Sequence, residues 1–310
     1  MERFADQSAR QTGRLYGLIR NTGVTIFNGT GRLEPLGYSL CHIIMGNISG
    51  TRGDVAKHPI LAAIVNDTLS KGALRFSYAE SHAGYSEYTL PRAGEWREGI
   101  GRMCESPPYQ WPESLHPYRD ACQLNRPRVG DRYPGSSGLV FRLVRHAVQA
   151  INFELYDINA AACFDLALHF PHSVAKVRRE DGIAGLREFS PNPEDHSLVL
   201  IDPPDLESSA SILALLKALT DKEIPFLCWT PRQPRLFKGG GDESSPSVEF
   251  FERTPNYCRW RFRWAEAWNQ RGMKGCQITA SKQLESIIDP VVTDLVKMMP
   301  GWRLDPKTSD

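Results

Sequence analysis

The sequence predicts an α/β fold, a mostly parallel open sheet with helices on both faces, on three observations. Short apolar runs alternate with stretches of helical periodicity through most of the chain. The apolar runs close on Gly, Pro or small polar residues, as strands do where they turn into helices. Three of them lead into an acid, Asp157, Asp181 and Asp202, the position where such sheets hold ligands.

In chain order, Ser8–Arg20 could form a short helix, and Asn21–Gly37, rich in Gly, Thr and Asn, reads as turns or a hairpin. Asp54–Leu69 has helical spacing through Val55, Ile60, Ile64, Val65 and Leu69, with Pro59 placed early, where a helix tolerates proline best. Ala73–Ala79 is a strand running into Glu80-Ser81-His82-Ala83-Gly84, a small-residue turn that leaves room for a nucleotide. Residues 100–134 form a proline-rich, loop-rich insertion. Ser136–Ala150 reads as an amphipathic helix capped by Ser136. Strands follow at Asn152–Ile158, Ala175–Arg179, Ser197–Ile201 and Pro225–Thr230, with helices at Ala160–Phe170, Ile183–Phe189 and Ser209–Leu219 between them. Lys238–Ser247 is Gly/Ser-rich and reads as a mobile loop. The chain closes on two strand-like stretches, Tyr257–Trp268 and Cys276–Gln283. Residues 1–45 form an extension expected to act as a lid, and 46–310 the catalytic domain.

Composition narrows the class. With 310 residues, 41% hydrophobic and 24% charged, the chain can bury a full core. No apolar run is long enough to span a membrane. Met1–Arg20 lacks an apolar core of the secretory kind, so a cytoplasmic protein is expected. Seven cysteines, none in a C-x-x-C pair, point to reduced thiols and to no metal site. The 37 Lys and Arg nearly balance the 36 Asp and Glu, so any nucleic-acid contact would have to come from a local patch. Arg259-Trp260-Arg261-Phe262-Arg263-Trp264 offers such an interleaving of cations and rings, though a strand with one wet and one buried face reads the same way.

A carboxylate at a strand end can accept two ribose hydroxyls or an exocyclic amine, and can equally cap the next helix. Asp202-Pro203-Pro204-Asp205 follows a buried strand. Two prolines fix φ and remove two backbone donors, leaving the Pro203 carbonyl to accept from an amine alongside Asp202. Such a pair holds a planar –NH₂ and turns its lone pair toward an electrophile. Taken alone, D-P-P is also an ordinary strand-terminating turn. Tyr85 and Tyr88, after the first glycine turn, could face a sulfonium or belong to the core.

Six fragments occur in one order: Gly53-Asp54-Val55-Ala56-Lys57-His58, Ser81-His82-Ala83-Gly84, Tyr133-Pro134-Gly135-Ser136, Asp181-Gly182, Leu200-Ile201-Asp202-Pro203-Pro204 and Thr279-Ala280-Ser281. This set resembles the RlmJ-type enzymes, which methylate the exocyclic nitrogen of an adenine in large-subunit ribosomal RNA, and covers roughly residues 46–290. The resemblance implies a Rossmann-like class I fold with a seven-stranded sheet and S-adenosylmethionine as cofactor. It places His58, His82, Gly84, Ser136, Asp157, Asp181, Gly182 and Asp202 around that cofactor. Lys57 would lie near cofactor or substrate, and Asp202 with Pro203 would hold the target nitrogen. Asp157 stands where the family has glutamate. Asp205 stands where the family has an aromatic ring that stacks on a flipped base. An aspartate there suits an amine-bearing or cationic ligand instead. The expectation is therefore an N-methyltransferase acting on rRNA or on a small amine. The alternative is an enzyme that attacks the aminocarboxypropyl chain and releases methylthioadenosine.

Overall fold

The computed structural model describes residues 49–203, 209–232, 256–268 and 273–305. The extension at 1–45, Asp205 and the Lys238–Ser247 stretch lie outside the described residues. The chain sequence builds an eight-stranded sheet in the order β10-β8-β9-β7-β6-β1-β4-β5. Its strands are β1 (Arg75–Glu80), β4 (Ala150–Tyr156), β5 (Ala175–Arg178), β6 (His196–Ile201), β7 (Phe226–Arg232), β8 (Tyr257–Trp268), β9 (Met273–Ser281) and β10 (Trp302–Leu304). A separate two-stranded ribbon pairs β2 (Glu87–Thr89) with β3 (Arg132–Pro134).

From β5 to β7 every neighbour pair is parallel. β9 enters antiparallel to both β7 and β8, so β8 runs with the body of the sheet. Leaving β10 aside, this is the strand order of class I methyltransferases, seven strands with the last reversed between two others. The eighth strand is a short C-terminal edge that pairs antiparallel with β8 through Trp302 and Trp264. The chain builds outward from β1 through β4 to β5, then crosses back to β6 on the other side of β1. The switch point lies between β1 and β6, where an open sheet parts its loops and leaves a crevice.

Helices cover both faces. On one lie α1 (Arg52–Ser70), α4 (Ser136–Val144) and α8 (Glu285–Met298), α1 packing directly on the other two. Their core contains Val55, Ile60, Leu61, Phe76, Leu139, Phe153, Leu200, Phe262 and Ile288. On the other face α7 (Ser209–Asp221) seals a smaller cluster of Val199, Ile201, Ile212, Leu215, Phe226 and Cys228. The remaining helices are short: α2 (Ile100–Met103), α3 (His116–Cys122), α5 (Ala160–His169) and α6 (Gly182–Gly185).

Local sequence explains the start of α1. Thr51 and Asp54 form a reciprocal capping box, each side chain taking the other's backbone N–H. The helix begins at Arg52, so Pro59 falls at its eighth residue and not, as expected, near its start. There it forgoes one backbone bond, and packing on α4 and α8 holds the helix. Ser136 is likewise displaced from its expected cap. Gly135 is the cap residue of α4, no side chain closes that end, and the helix stops at Val144 rather than Ala150. The loop-rich insertion proves to be part of the core: Ile100, Met103, Trp111, Leu115 and Tyr118 are all buried in the larger cluster. Along β8, Trp260, Phe262 and Trp264 turn inward while Arg263 is exposed on the other face, the ordinary two-faced strand. No described helix is long and apolar enough to cross a membrane.

Candidate active site at the carboxyl ends of the strands

The loops after β1, β4, β5 and β6 meet above the switch point. The turn after β1 is tied to both neighbours, with Ser81 N donating to Leu200 O at 3.1 Å and Ala83 N to Tyr156 O at 2.9 Å. Gly84 then adopts φ +58°, the left-handed region that favours glycine. Its N–H donates to Asp157 Oδ2 at 2.9 Å, and Asn159 N donates to Asp157 Oδ1 at 2.7 Å. Asp157 therefore clamps two loops together, while Asn159 caps α5. A carboxylate has about four acceptor sites, so Asp157 can still take ligand hydroxyls. Gly182 presses against the Ser81 backbone so closely that a β-carbon would overlap its carbonyl, which brings the loop after β5 under the loop after β1.

Asp181 is the N-cap of α6, accepting from Ile183 N at 2.8 Å and Ala184 N at 3.3 Å, both through Oδ1. The capping reading of this acid is realised, and the residue remains exposed. His82 lies half-buried with Nδ1 2.7 Å from Ser81 Oγ, which also accepts from Asp202 N at 3.3 Å. His58 is 2% exposed, turned toward Tyr133.

Glu80, the last residue of β1, is the buried centre of the site. Tyr78 Oη donates to its Oε2 at 2.9 Å, and the Ser136 hydroxyl makes a short bond to Oε1. Burial pushes the Glu80 carboxyl up to about 8, the negative charge of Asp202 adds to that, and the Ser136 and Tyr78 hydroxyls work against it. Ser136 thus enters the site through Glu80 and not as a helix cap.

Beside Glu80, Lys57 projects from α1 between two carboxylates. It is ion-paired with Asp202 and lies 3.1 Å from Asp54 Oδ1. Burial disfavours the ammonium, but Asp202 and then Asp54 outweigh it and hold Lys57 charged, well above its usual range. Burial would likewise raise Asp54. Lys57 and His58, with the Thr51 N–H, reverse that and hold its carboxyl below the ordinary value. The Lys57 ammonium also lies 5.6 Å from the centre of the Trp229 ring, which closes the site from β7. Two carboxylates around one cation leave the array with a net negative charge, suited to an amine that becomes positive.

Lys57, Gly84, Asp157, Gly182 and Asp202 are therefore brought to one crevice, with Ser136 and His82 joined to it through Glu80 and Ser81. Pro203 is buried beside Asp202. Sequence reasoning missed Glu80, Asp54 and Trp229. A glutamate at the end of an otherwise buried strand and the T-x-x-D box before α1 were usable signals, whereas nothing local marked Trp229.

The residues present fit a nucleoside cofactor that carries an amino-acid moiety. Asp157 offers a hydroxyl acceptor, and the uncapped N-terminus of α4 offers donors to an anion. Ser137 Oγ, in the first turn of α4, is buried with no hydrogen-bond partner among the described residues. An orphaned hydroxyl of this kind calls for an explanation such as a missing ligand.

Strand order and the acids at the switch point define the chain as a Rossmann-like protein of the class I methyltransferase fold. Residues 73–222, from just before β1 to just past α7, match the family model described as ribosomal RNA large subunit methyltransferase D, RlmJ. Over that stretch the chain is similar to the RlmJ-type family. It is 28% identical over 166 residues to ribosomal RNA large subunit methyltransferase J of Haemophilus influenzae, an alignment covering 50% of this chain and 56% of that protein. The chain thus spans little more than half the length of that curated relative. The crystal structure of protein LPL1258 from Legionella pneumophila superposes with a TM-score of 0.64 at 21% identity, covering 83% of this chain and 97% of that one. At that identity the likeness concerns the fold.

Proposed function

We propose that the chain is an S-adenosylmethionine-dependent N-methyltransferase whose acceptor is a planar amine of large-subunit ribosomal RNA. The observation that carries the reading is the meeting of Asp157, Glu80, Lys57 and Asp202 at the switch point of the sheet. The relative from Haemophilus influenzae, by its name, methylates large-subunit rRNA, which supports the acceptor.

In this reading Asp157 accepts ribose hydroxyls, and Asp181 takes a further donor with the oxygen not used for capping. Gly84 and Gly182 keep the loops low enough for the cofactor to lie across them. His58, His82 and Ser136 line the same pocket, and the N-terminus of α4 receives the cofactor carboxylate. The bound cofactor supplies an electrophilic methyl on sulfur. Asp202 and the Pro203 carbonyl each accept one N–H of the acceptor amine, which directs its lone pair at that methyl. Lys57 limits how strongly Asp202 repels the rest of an anionic acceptor. As the nitrogen gains charge, the net negative Asp54–Lys57–Asp202 array stabilises it more than it stabilised the neutral amine.

Asp205 favours a second acceptor, a small amine, because a carboxylate cannot stack on a base where the family pattern has a ring. The test is transfer of isotopic methyl from S-adenosylmethionine to unmodified large-subunit rRNA and, separately, to a panel of small amines. Label in rRNA that is lost with Asp202→Asn, at unchanged cofactor affinity, supports the first reading. Label confined to a small amine moves the acceptor to the second. No transfer to either, with the cofactor bound, overturns the methyltransferase reading.

A further inference from the structure

With 37 Lys and Arg against 36 Asp and Glu, contact with an RNA backbone has to come from a local patch. The interleaved arginines of β8 do not supply it, since Arg261 is hydrogen-bonded to Gln277 and Arg263 is ion-paired with Asp305. A second cluster lies where α1 begins. A cavity of about 260 Å³ opens there, with Arg52, Glu98 and Arg102 as its charged lining. Trp264, Met299 and Trp302, all buried, supply most of its apolar lining.

Arg52 stands out by what it does not bind. Its side chain is 14% exposed, yet among the described residues its guanidinium makes a single hydrogen bond, to Glu98 Oε2 at 3.4 Å. Arg119 and Arg142 are more exposed and make two hydrogen bonds each. Most of the Arg52 donors are thus uncommitted, where a largely buried polar group normally finds partners. The Arg102 guanidinium makes no hydrogen bond among the described residues, and its ion pair with Glu105 is long, at 3.6 Å.

We propose that Arg52 and Arg102 bind a phosphodiester of the RNA strand that carries the acceptor, next to the nucleotide held by Asp202. The inference rests on the rRNA reading for the identity of that strand.

Placement favours it. Arg52 and Lys57 are separated by about 7.5 Å along the axis of α1. Trp229, which closes the crevice, packs so tightly on Gly53 that a β-carbon there would lie 3.0 Å from its ring. Gly53 and Trp229 therefore stand between Lys57 and Arg52, a wall that one strand can cross within a nucleotide step or two. The chemistry matches as well. A phosphodiester offers two free oxygens that share one negative charge, and a guanidinium presents paired donors to such a group. The apolar lining keeps water from one side, which strengthens the attraction over that of an open surface. Glu98 holds Arg52 in the free protein, and being half-exposed it can turn to solvent when the phosphate arrives. Contacts of this kind fix the strand without reading its sequence, leaving the choice of acceptor to Asp202 and Pro203.

The test is fluorescence anisotropy of the full chain with a fluorescein-labelled single-stranded oligoadenylate across a salt series, a readout that needs no methyl transfer. Arg52→Gln and Arg102→Gln should each weaken binding several-fold at low salt. Together they should flatten the slope of log affinity against log salt by about 0.7, the loss of one single-strand phosphate contact. An oligouridylate should lose as much, because phosphate and not base is held. Glu98→Gln should tighten binding by freeing Arg52. Affinity for S-adenosylmethionine and resistance to urea should stay as in the parent, since the Arg52–Glu98 pair is a weak one at the surface. Transfer to large-subunit rRNA should show a raised KM for the RNA with kcat kept. A parent that binds neither oligonucleotide at low salt, or parental affinity and slope in the arginine variants, overturns the proposal. A loss confined to oligoadenylate also overturns it, since the cavity would then read a base. Weakened binding with no methyl transferred to rRNA by the parent leaves the phosphate site standing and sinks the rRNA reading alone.

Discussion

Glu80→Gln should remove a pH dependence that the free protein carries at the centre of its site. Glu80 has no exposed surface, and its carboxyl is raised from 4.5 to about 8, chiefly by burial. The unfolded chain releases this proton near its ordinary value, while the folded protein keeps it to about 8. Below pH 4.5 both states are protonated, and the stability linked to this residue is fully present. As pH rises the unfolded state gains by ionising, so folding stability falls until the folded carboxyl also ionises near pH 8, and then levels off. At about 1.4 kcal/mol per unit, the loss across that window is on the order of 5 kcal/mol. Glutamine keeps the shape, can accept from Tyr78 and can donate to Ser136, so Glu80→Gln should be nearly flat across the same window. Urea unfolding at pH 5, 6, 7, 8 and 9 gives the difference between variant and parent, in which all other titrations cancel. The account expects that difference to shift in favour of the variant by several kcal/mol between pH 5 and pH 8. A difference that does not change with pH would refute a protonated Glu80 and with it the described electrostatics of the β1 end.

Four further outcomes follow from the same geometry. Lys57→Met strips the cation from two buried carboxylates and should cost about 3–5 kcal/mol, because both are left uncompensated; denaturant unfolding reads it, and a cost below 1 kcal/mol counts against the buried array. Gly182→Ala drives a methyl into the Ser81 backbone carbonyl, which cannot yield, and should destabilise by about 3 kcal/mol while weakening cofactor binding. Asp181→Ala should cost about 1 kcal/mol through loss of the α6 cap. Asp157→Ala and Asp181→Ala should each weaken S-adenosylmethionine in calorimetry, and equal affinity in both variants would remove these acids from the cofactor pocket.

Much of the sheet was legible because its signals are local. Ser-Leu-Val-Leu-Ile before Asp202 and the apolar run before Asp157 read as strands that end where β6 and β4 end, to within two residues. The alternation along β8 was legible in the same way. The helix α8 was not, since Pro290 interrupts its pattern and packing on α1, on β10 and on the Glu113–Leu115 turn holds it in place. The insertion looked like loop because prolines punctuate it, yet Met103, Trp111 and Tyr118 carry it into the core. Within the site, Asp157, Asp202 and Lys57 stood out as acids after strands and a lysine in a family-like fragment. Glu80 did not, because its meaning comes from burial between Tyr78, Ser136 and Asp202, contacts that span more than a hundred residues of chain. Ser136 shows the converse: a plausible cap by composition, it is drawn one position into the helix by its bond to Glu80.

The central claim is transfer of a methyl group from S-adenosylmethionine to an amine, and identifying the cofactor-derived product tests it most directly. Pure protein is incubated with S-adenosylmethionine carrying a deuterated methyl and unmodified large-subunit rRNA, and the mixture is resolved by mass spectrometry. The account predicts S-adenosylhomocysteine in amounts matching one deuterated N-methyl nucleoside, both absent with Asp202→Asn. Methylthioadenosine in place of S-adenosylhomocysteine would contradict it, because the bond broken would then be to the aminocarboxypropyl chain and not to the methyl group.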